Sequence, residues 1–93
     1  MGYLRYGMRG DYVRDVQGLL WQAGLYDGMI DGRFGNKTEQ AVKNWQSEVG
    51  VLSDGYWGVK TIEGSANYLA KINVPESVTN PVVPFMKGKY EQS

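Results

Sequence analysis

Cysteine and histidine are both missing from the 93 residues. Their absence excludes disulfides, thiol nucleophiles, a Ser-His-Asp triad and zinc sites of the usual ligand types. Net charge is missing too: ten Lys and Arg offset ten Asp and Glu, with no basic stripe. A neutral chain has no long-range field for DNA, RNA or anionic lipid, so neither nucleic acid nor membrane is an expected partner. No apolar run approaches the roughly 20 residues of a membrane span. The opening MGYLRYGMRGD has no apolar core of the kind a signal peptide needs, and none is expected in this chain. The lack of cysteine fits any compartment.

What is present is aromatic. Three Trp and seven Tyr accompany an ordinary apolar share of 42% in a chain sized for one small domain. Residues 1 to 10, with three Gly and two Tyr, read as an irregular lead-in strapped onto the core. Asp11 is the expected N-cap of a first helix, in which Val13, Val16, Leu20 and Ala23 form an apolar stripe beside Leu19. Gly24 is its expected stop. In LYDGMIDG, two Asp-Gly pairs predict tight turns, with Ile30 plugging the core between them. Asn36 is the expected cap of a second helix, with Glu39 completing a capping box. Ala41, Val42, Trp45 and Val49 line its buried side, and Gly50 ends it. A third helix starts at Gly58 or Val59 and buries Ile62, Ala66 and Leu69; Gly64 in its interior costs about 1 kcal/mol relative to Ala. Residues 1–73 therefore form one domain. Residues 74–93 hold all three prolines and read as an extended tail or an assembly arm, whose Val82, Val83, Phe85 and Met86 would dock on a partner or a second copy.

One device occurs twice. DGRFGNKTEQAVKNW, from Asp31, returns 23 positions later as DGYWGVKTIEGSANY, from Asp54. Asp31, Gly32, Gly35, Lys37, Thr38 and Asn44 recur as Asp54, Gly55, Gly58, Lys60, Thr61 and Asn67, while Phe34 is answered by Trp57. The plain reading is turn architecture. Gly supplies positive φ at positions 32, 35, 55 and 58, and the Asp side chains bond nearby N–H groups. Phe34, Trp45 and Trp57 are core, and Thr38 and Thr61 bond to backbone near the helix starts. Turn chemistry thus accounts for the paired carboxylates, leaving no catalytic constellation, and no catalytic residue or cofactor is expected. A calcium loop from Asp27 fails because Met29 falls at its third position and Thr38 where the closing bidentate Glu is needed.

Residues 4 to 61 resemble the peptidoglycan-binding domain family. Its opening matches Gly7, Gly10, Val13, Val16 and Gln17; its centre Y-D-G-x-I-D-G-x-F-G-x-x-T matches Tyr26 to Thr38; its close D-G-x-x-G-x-x-T matches Asp54 to Thr61. The sequence departs from the pattern at Val16, at Val59 (often Pro) and at Gly64. The resemblance implies an all-α, small three-helix bundle with two Asp-Gly turn-into-helix repeats, of the kind attached to cell-wall amidases, carboxypeptidases, lytic enzymes and phage endolysins.

It also implies non-catalytic binding of bacterial cell-wall peptidoglycan. Such binding needs a shallow groove with an aromatic face and a few aimed donors. The expected ligand-binding residues are Tyr26, Asp31, Arg33, Asn36 and Thr38 around the start of the second helix, with Gln17 and Trp21 walling the groove from the first. Arg33 can hold a peptide carboxylate bidentately. The expected partners beyond peptidoglycan are a lytic enzyme, a phage virion protein or the chain itself through residues 74–93. Production in the bacterial cytoplasm and delivery by lysis, a virion or a parent chain would follow. The alternative is a structural or assembly protein that keeps the fold without wall binding.

Overall fold

The computed structural model describes residues 3–71. Both the expected tail and any assembly role it has lie outside them. Three helices run in the order α1 (Asp11–Gln22), α2 (Asn36–Val49) and α3 (Val59–Lys71). Among the described residues there is no strand, only two isolated antiparallel bridges, and no helix is long and apolar enough to cross a membrane. The middle helix packs on both of the others.

The apolar spacing places the core where it was expected. Val13, Val16, Leu19 and Leu20 of α1, Ala41, Val42 and Trp45 of α2, and Ile62 and Leu69 of α3 are buried together with Phe34 and Trp57. Trp45 keeps its polar edge satisfied by donating Nε1–H to Ser65 Oγ at 2.7 Å, and Ser65 in turn donates to the Thr61 carbonyl at 2.6 Å. Ala23 is exposed because α1 ends one residue before it. Ile30 does not plug the core and is 40% exposed; Tyr26, at 7%, fills that place.

Neither expected side-chain cap forms. The α1 N-cap is Gly10 and the α2 N-cap is Gly35, and neither helix start has a side-chain cap bond. Asp11 and Asn36 are instead the first helical residues. The reason lies in the chain before each helix. Gly10 donates to the Gly32 carbonyl at 2.9 Å and accepts the Arg14 N–H at 3.2 Å, while Gly35 accepts the Glu39 N–H at 2.9 Å. A crossing segment thus holds Gly10 at the start of α1, the lead-in pairs with Phe34 just before Gly35, and glycine is tolerated at both cap positions. The helix ends follow the sequence. Leu25 N–H returns to the Leu20 carbonyl and Gly24 N–H to that of Trp21, with Gly24 at φ +79°; Gly50, at φ +84°, stops α2.

The lead-in ties both turns down. Leu4 and Trp57 exchange backbone bonds at 2.9 and 2.8 Å. Further on, Gly7 N–H donates to the Phe34 carbonyl and Phe34 N–H to the Met8 carbonyl, each at 2.9 Å. The single segment of residues 4 to 10 therefore spans both copies of the repeated device.

Candidate functional site

Each Asp-Gly turn is built around a glutamine from the preceding helix. Gln17, fully buried on α1, accepts the Gly32 N–H on its Oε1 at 2.8 Å. Because that N–H can only donate, the amide orientation is fixed, and Nε2 faces four oxygens. These are Arg33 O at 2.9 Å, Thr38 Oγ1 at 3.0 Å, and Asp31 Oδ1 and Tyr26 Oη at 3.2 Å each. Asp31 Oδ1 also accepts the Arg33 N–H at 2.9 Å. That backbone bond, followed by the Gln17 amide, holds the Asp31 carboxyl below its ordinary pKa.

The second turn repeats the arrangement with Gln46 of α2. Its Oε1 accepts the Gly55 N–H at 2.9 Å, and its Nε2 reaches Tyr56 O at 2.8 Å, Thr61 Oγ1 at 2.9 Å and Asp54 Oδ1 at 3.0 Å. Asp54 accepts the Tyr56 N–H at 2.9 Å, as Asp31 does from Arg33. Thr38 and Thr61 each donate onward to a turn carbonyl, of Arg33 at 3.3 Å and of Tyr56 at 3.1 Å. Gly32 and Gly55 have φ of +76° and +81°, which L side chains adopt at a penalty. Gly35 is extended at φ −102° and Gly58 is not among the positive-φ glycines, so those two are not conformational requirements.

The structure thus brings Gln17, Tyr26, Asp31, Thr38 and the Arg33 backbone together, with Gln17, Tyr26 and Thr38 in the interior and Asp31 and Arg33 at the surface. Gln17, Tyr26 and Thr38 are buried and spend their polar atoms on one another, so Gln17 does not wall a groove. Asn36 is exposed in the first turn of α2, and Trp21, 58% exposed, projects near the end of α1 outside the buried cluster. The Arg33 side chain lines an open cleft of about 410 Å³ with Tyr6, Met8, Arg9 and the Gly35 backbone. Arg9 and Arg33 face each other across an antiparallel bridge, and among the described residues neither forms a salt bridge. A second cleft, of about 250 Å³, lies at the other turn between Tyr3, Tyr56 and Lys60.

Sequence reasoning missed Gln46, Tyr6, Met8, Arg9, Tyr3 and Tyr56. Gln46 had a signal: a polar residue one step after the aromatic Trp45, on the buried side of a helix followed by DG. The lead-in residues had none, because only the fold carries them to the turns. Among the described residues no group of acidic side chains is arranged to hold a metal ion.

Fold and site together define a small all-α binding-type module with two glutamine-clamped turns, each opening onto a cleft. The chain belongs to the peptidoglycan binding domain family, whose model matches residues 9–63. It is 40% identical over 53 residues to the N-acetylmuramoyl-L-alanine amidase CwlM of Mycobacterium tuberculosis, a stretch covering 57% of this chain and 13% of the amidase. It is 42% identical over 55 residues to a spore cortex-lytic enzyme of Halalkalibacterium halodurans, covering 59% of this chain and 17% of that one. The chain thus corresponds to well under a quarter of either relative. The crystal structure of the SleB N-terminal domain superposes with a TM-score of 0.66 at 34% identity, covering 70% of this chain and 89% of that one.

Proposed function

We propose that this module holds a lytic enzyme on the bacterial cell wall by binding peptidoglycan without cutting it. The observation carrying this reading is the Arg9–Arg33 pair: two arginines that form no salt bridge among the described residues, beside the exposed Tyr6 and Met8 in one open cleft. Wall peptides present carboxylates next to small apolar side chains, and a guanidinium fork takes a carboxylate bidentately. Asn36, exposed in the first turn of α2 and next in sequence to Gly35 of the cleft, would add a donor. Gln17, Tyr26, Asp31 and Thr38 act through the turn they hold, and Trp21 offers aromatic surface at the end of α1.

Attachment to a catalytic domain is the favoured setting, since the two relatives described above are named as an amidase and a cortex-lytic enzyme. A phage endolysin or virion would use the same surface in the same way. The test is sedimentation with purified sacculi, with turbidity followed in parallel. Wild type should co-sediment without clearing the suspension, and Arg9→Ala with Arg33→Ala should reduce the bound fraction while leaving the thermal melt in place. Clearing by the pure protein would overturn the non-catalytic part, and unchanged binding by the double variant would overturn the cleft.

A further inference from the structure

The sequence repeat duplicates the cleft as well as the turn. Arg33 and Gly35 line the first; their counterparts 23 positions later, Tyr56 and Gly58, line the second. Both clefts share the lead-in as one wall, with Tyr6 to Arg9 on the first and Tyr3 on the second. Their chemistry differs. Where the first has two guanidiniums, the second has two tyrosine rings.

Tyr3 and Tyr56 lie parallel, their planes 2° apart and their centroids 5.3 Å apart. Both stay substantially exposed, at 37% and 47%. An offset stack of this kind is held before any ligand arrives, because the Tyr56 backbone is clamped by Gln46 and Asp54 while Tyr3 precedes the Leu4–Trp57 bridge. Pre-set aromatic surface loses little side-chain freedom on binding. Lys60 and Asp54 stand at the rim of the same cleft, one a donor and the other an acceptor.

We propose that the second cleft is a sugar-face subsite for the glycan strand of the same polymer whose peptide carboxylates the first cleft would take. The inference rests on the peptidoglycan reading above and divides the ligand between two clefts. A pyranose ring presents an apolar face of C–H bonds bordered by hydroxyl and acetamide groups. The tyrosine platform matches the face, and Lys60 with Asp54 matches the border. The occupant is a carbohydrate rather than a second protein because the apolar lining is limited to two rings and Val59 and is flanked by both signs of charge.

The experiment titrates the protein with a peptide-free oligosaccharide of alternating N-acetylglucosamine and N-acetylmuramic acid, following Tyr and Trp fluorescence and amide NMR shifts. Intact sacculi are run alongside by sedimentation. Tyr56→Ala should weaken oligosaccharide binding about tenfold, the scale of losing one aromatic contact. Tyr56→Phe, which keeps the ring, should bind like wild type, and Leu52→Ala, an exposed position outside both clefts, should do the same. A circular dichroism melt of each variant confirms the fold, and Tyr3→Ala provides the same test from the other ring. If sacculi bind but the oligosaccharide binds Tyr56→Ala and Tyr3→Ala as well as wild type, the sugar subsite is wrong and the peptidoglycan reading stands. If wild type fails to bind sacculi, both are wrong.

Discussion

Gln17 and Gly32, fifteen residues apart, are joined by a 2.8 Å bond from the glycine N–H to the glutamine amide oxygen. Through it α1 dictates the shape of the turn that starts α2. Replacing Gln17 with Leu keeps the bulk but strands the Gly32 N–H and leaves the Arg33 carbonyl only its bond from Thr38, and a stranded buried group costs about 1–3 kcal/mol. Gln17→Leu should therefore lower unfolding free energy by about 1–3 kcal/mol in urea, with Gln46→Leu close behind. Trp21→Ala, on the surface, should lie within about 0.5 kcal/mol of wild type.

The glycines of the repeat should separate into two kinds. At Gly32, with φ +76°, a Cβ would also sit 3.0 Å from the Gly10 carbonyl oxygen, whereas at Gly35 it would meet nothing within 4 Å. Gly32→Ala should lower stability by about 1–2 kcal/mol, and Gly35→Ala should leave the melting temperature nearly unchanged.

Gly64 interrupts α3 for a reason outside the helix. A Cβ there would stand 2.6 Å from Val51 Cγ1, so Val51 occupies the space the glycine leaves. Helix propensity favours Gly64→Ala by about 1 kcal/mol, but overpacking against a stiff β-branched side chain costs about 1–3 kcal/mol. A net loss is expected in a thermal melt, and adding Val51→Ala should recover part of it.

Acid should loosen the first turn through Asp31. Its pKa is depressed by the Arg33 N–H and then by Gln17, so its contribution to stability is present above the unfolded-state value, about 3.9. That contribution is lost as pH falls through the lower folded-state value. Asp31→Asn retains an acceptor oxygen but cannot titrate. A series of melts from about pH 5 to about pH 2 should show a shallower decline for the variant than for wild type.

The helices and their buried faces were legible because period and composition report them: Val13, Val16, Leu20, Trp45 and Ile62 all lie where apolar spacing puts them. The family motif also placed Asp31, Gly32 and Thr38 around one turn. The helix starts were not legible, since Asp11 and Asn36 have capping chemistry but Gly10 and Gly35 hold the geometry, imposed by a segment paired from elsewhere in the chain. For the same reason the site looked different from sequence. Gln17 and Tyr26 have the right chemistry for a ligand and spend it on the turn, whereas Arg9 and Tyr3 reach the clefts only through backbone pairing of the lead-in.

The lead-in pairs with both turns, and that pairing governs how the molecule comes apart. Each glutamine couples one helix to the next turn, a nearest-neighbour scheme like that of stacked-repeat proteins, in which end units fray independently. Here residues 4 to 10 bridge the first and second units directly, closing a linear array into a loop of mutual support. Opening either unit also costs bonds to this shared segment, so unfolding is expected as one cooperative transition rather than as fraying of one end. That clasp joins Leu4 to a residue made much later, so the lead-in has to wait for Trp57 before it can close.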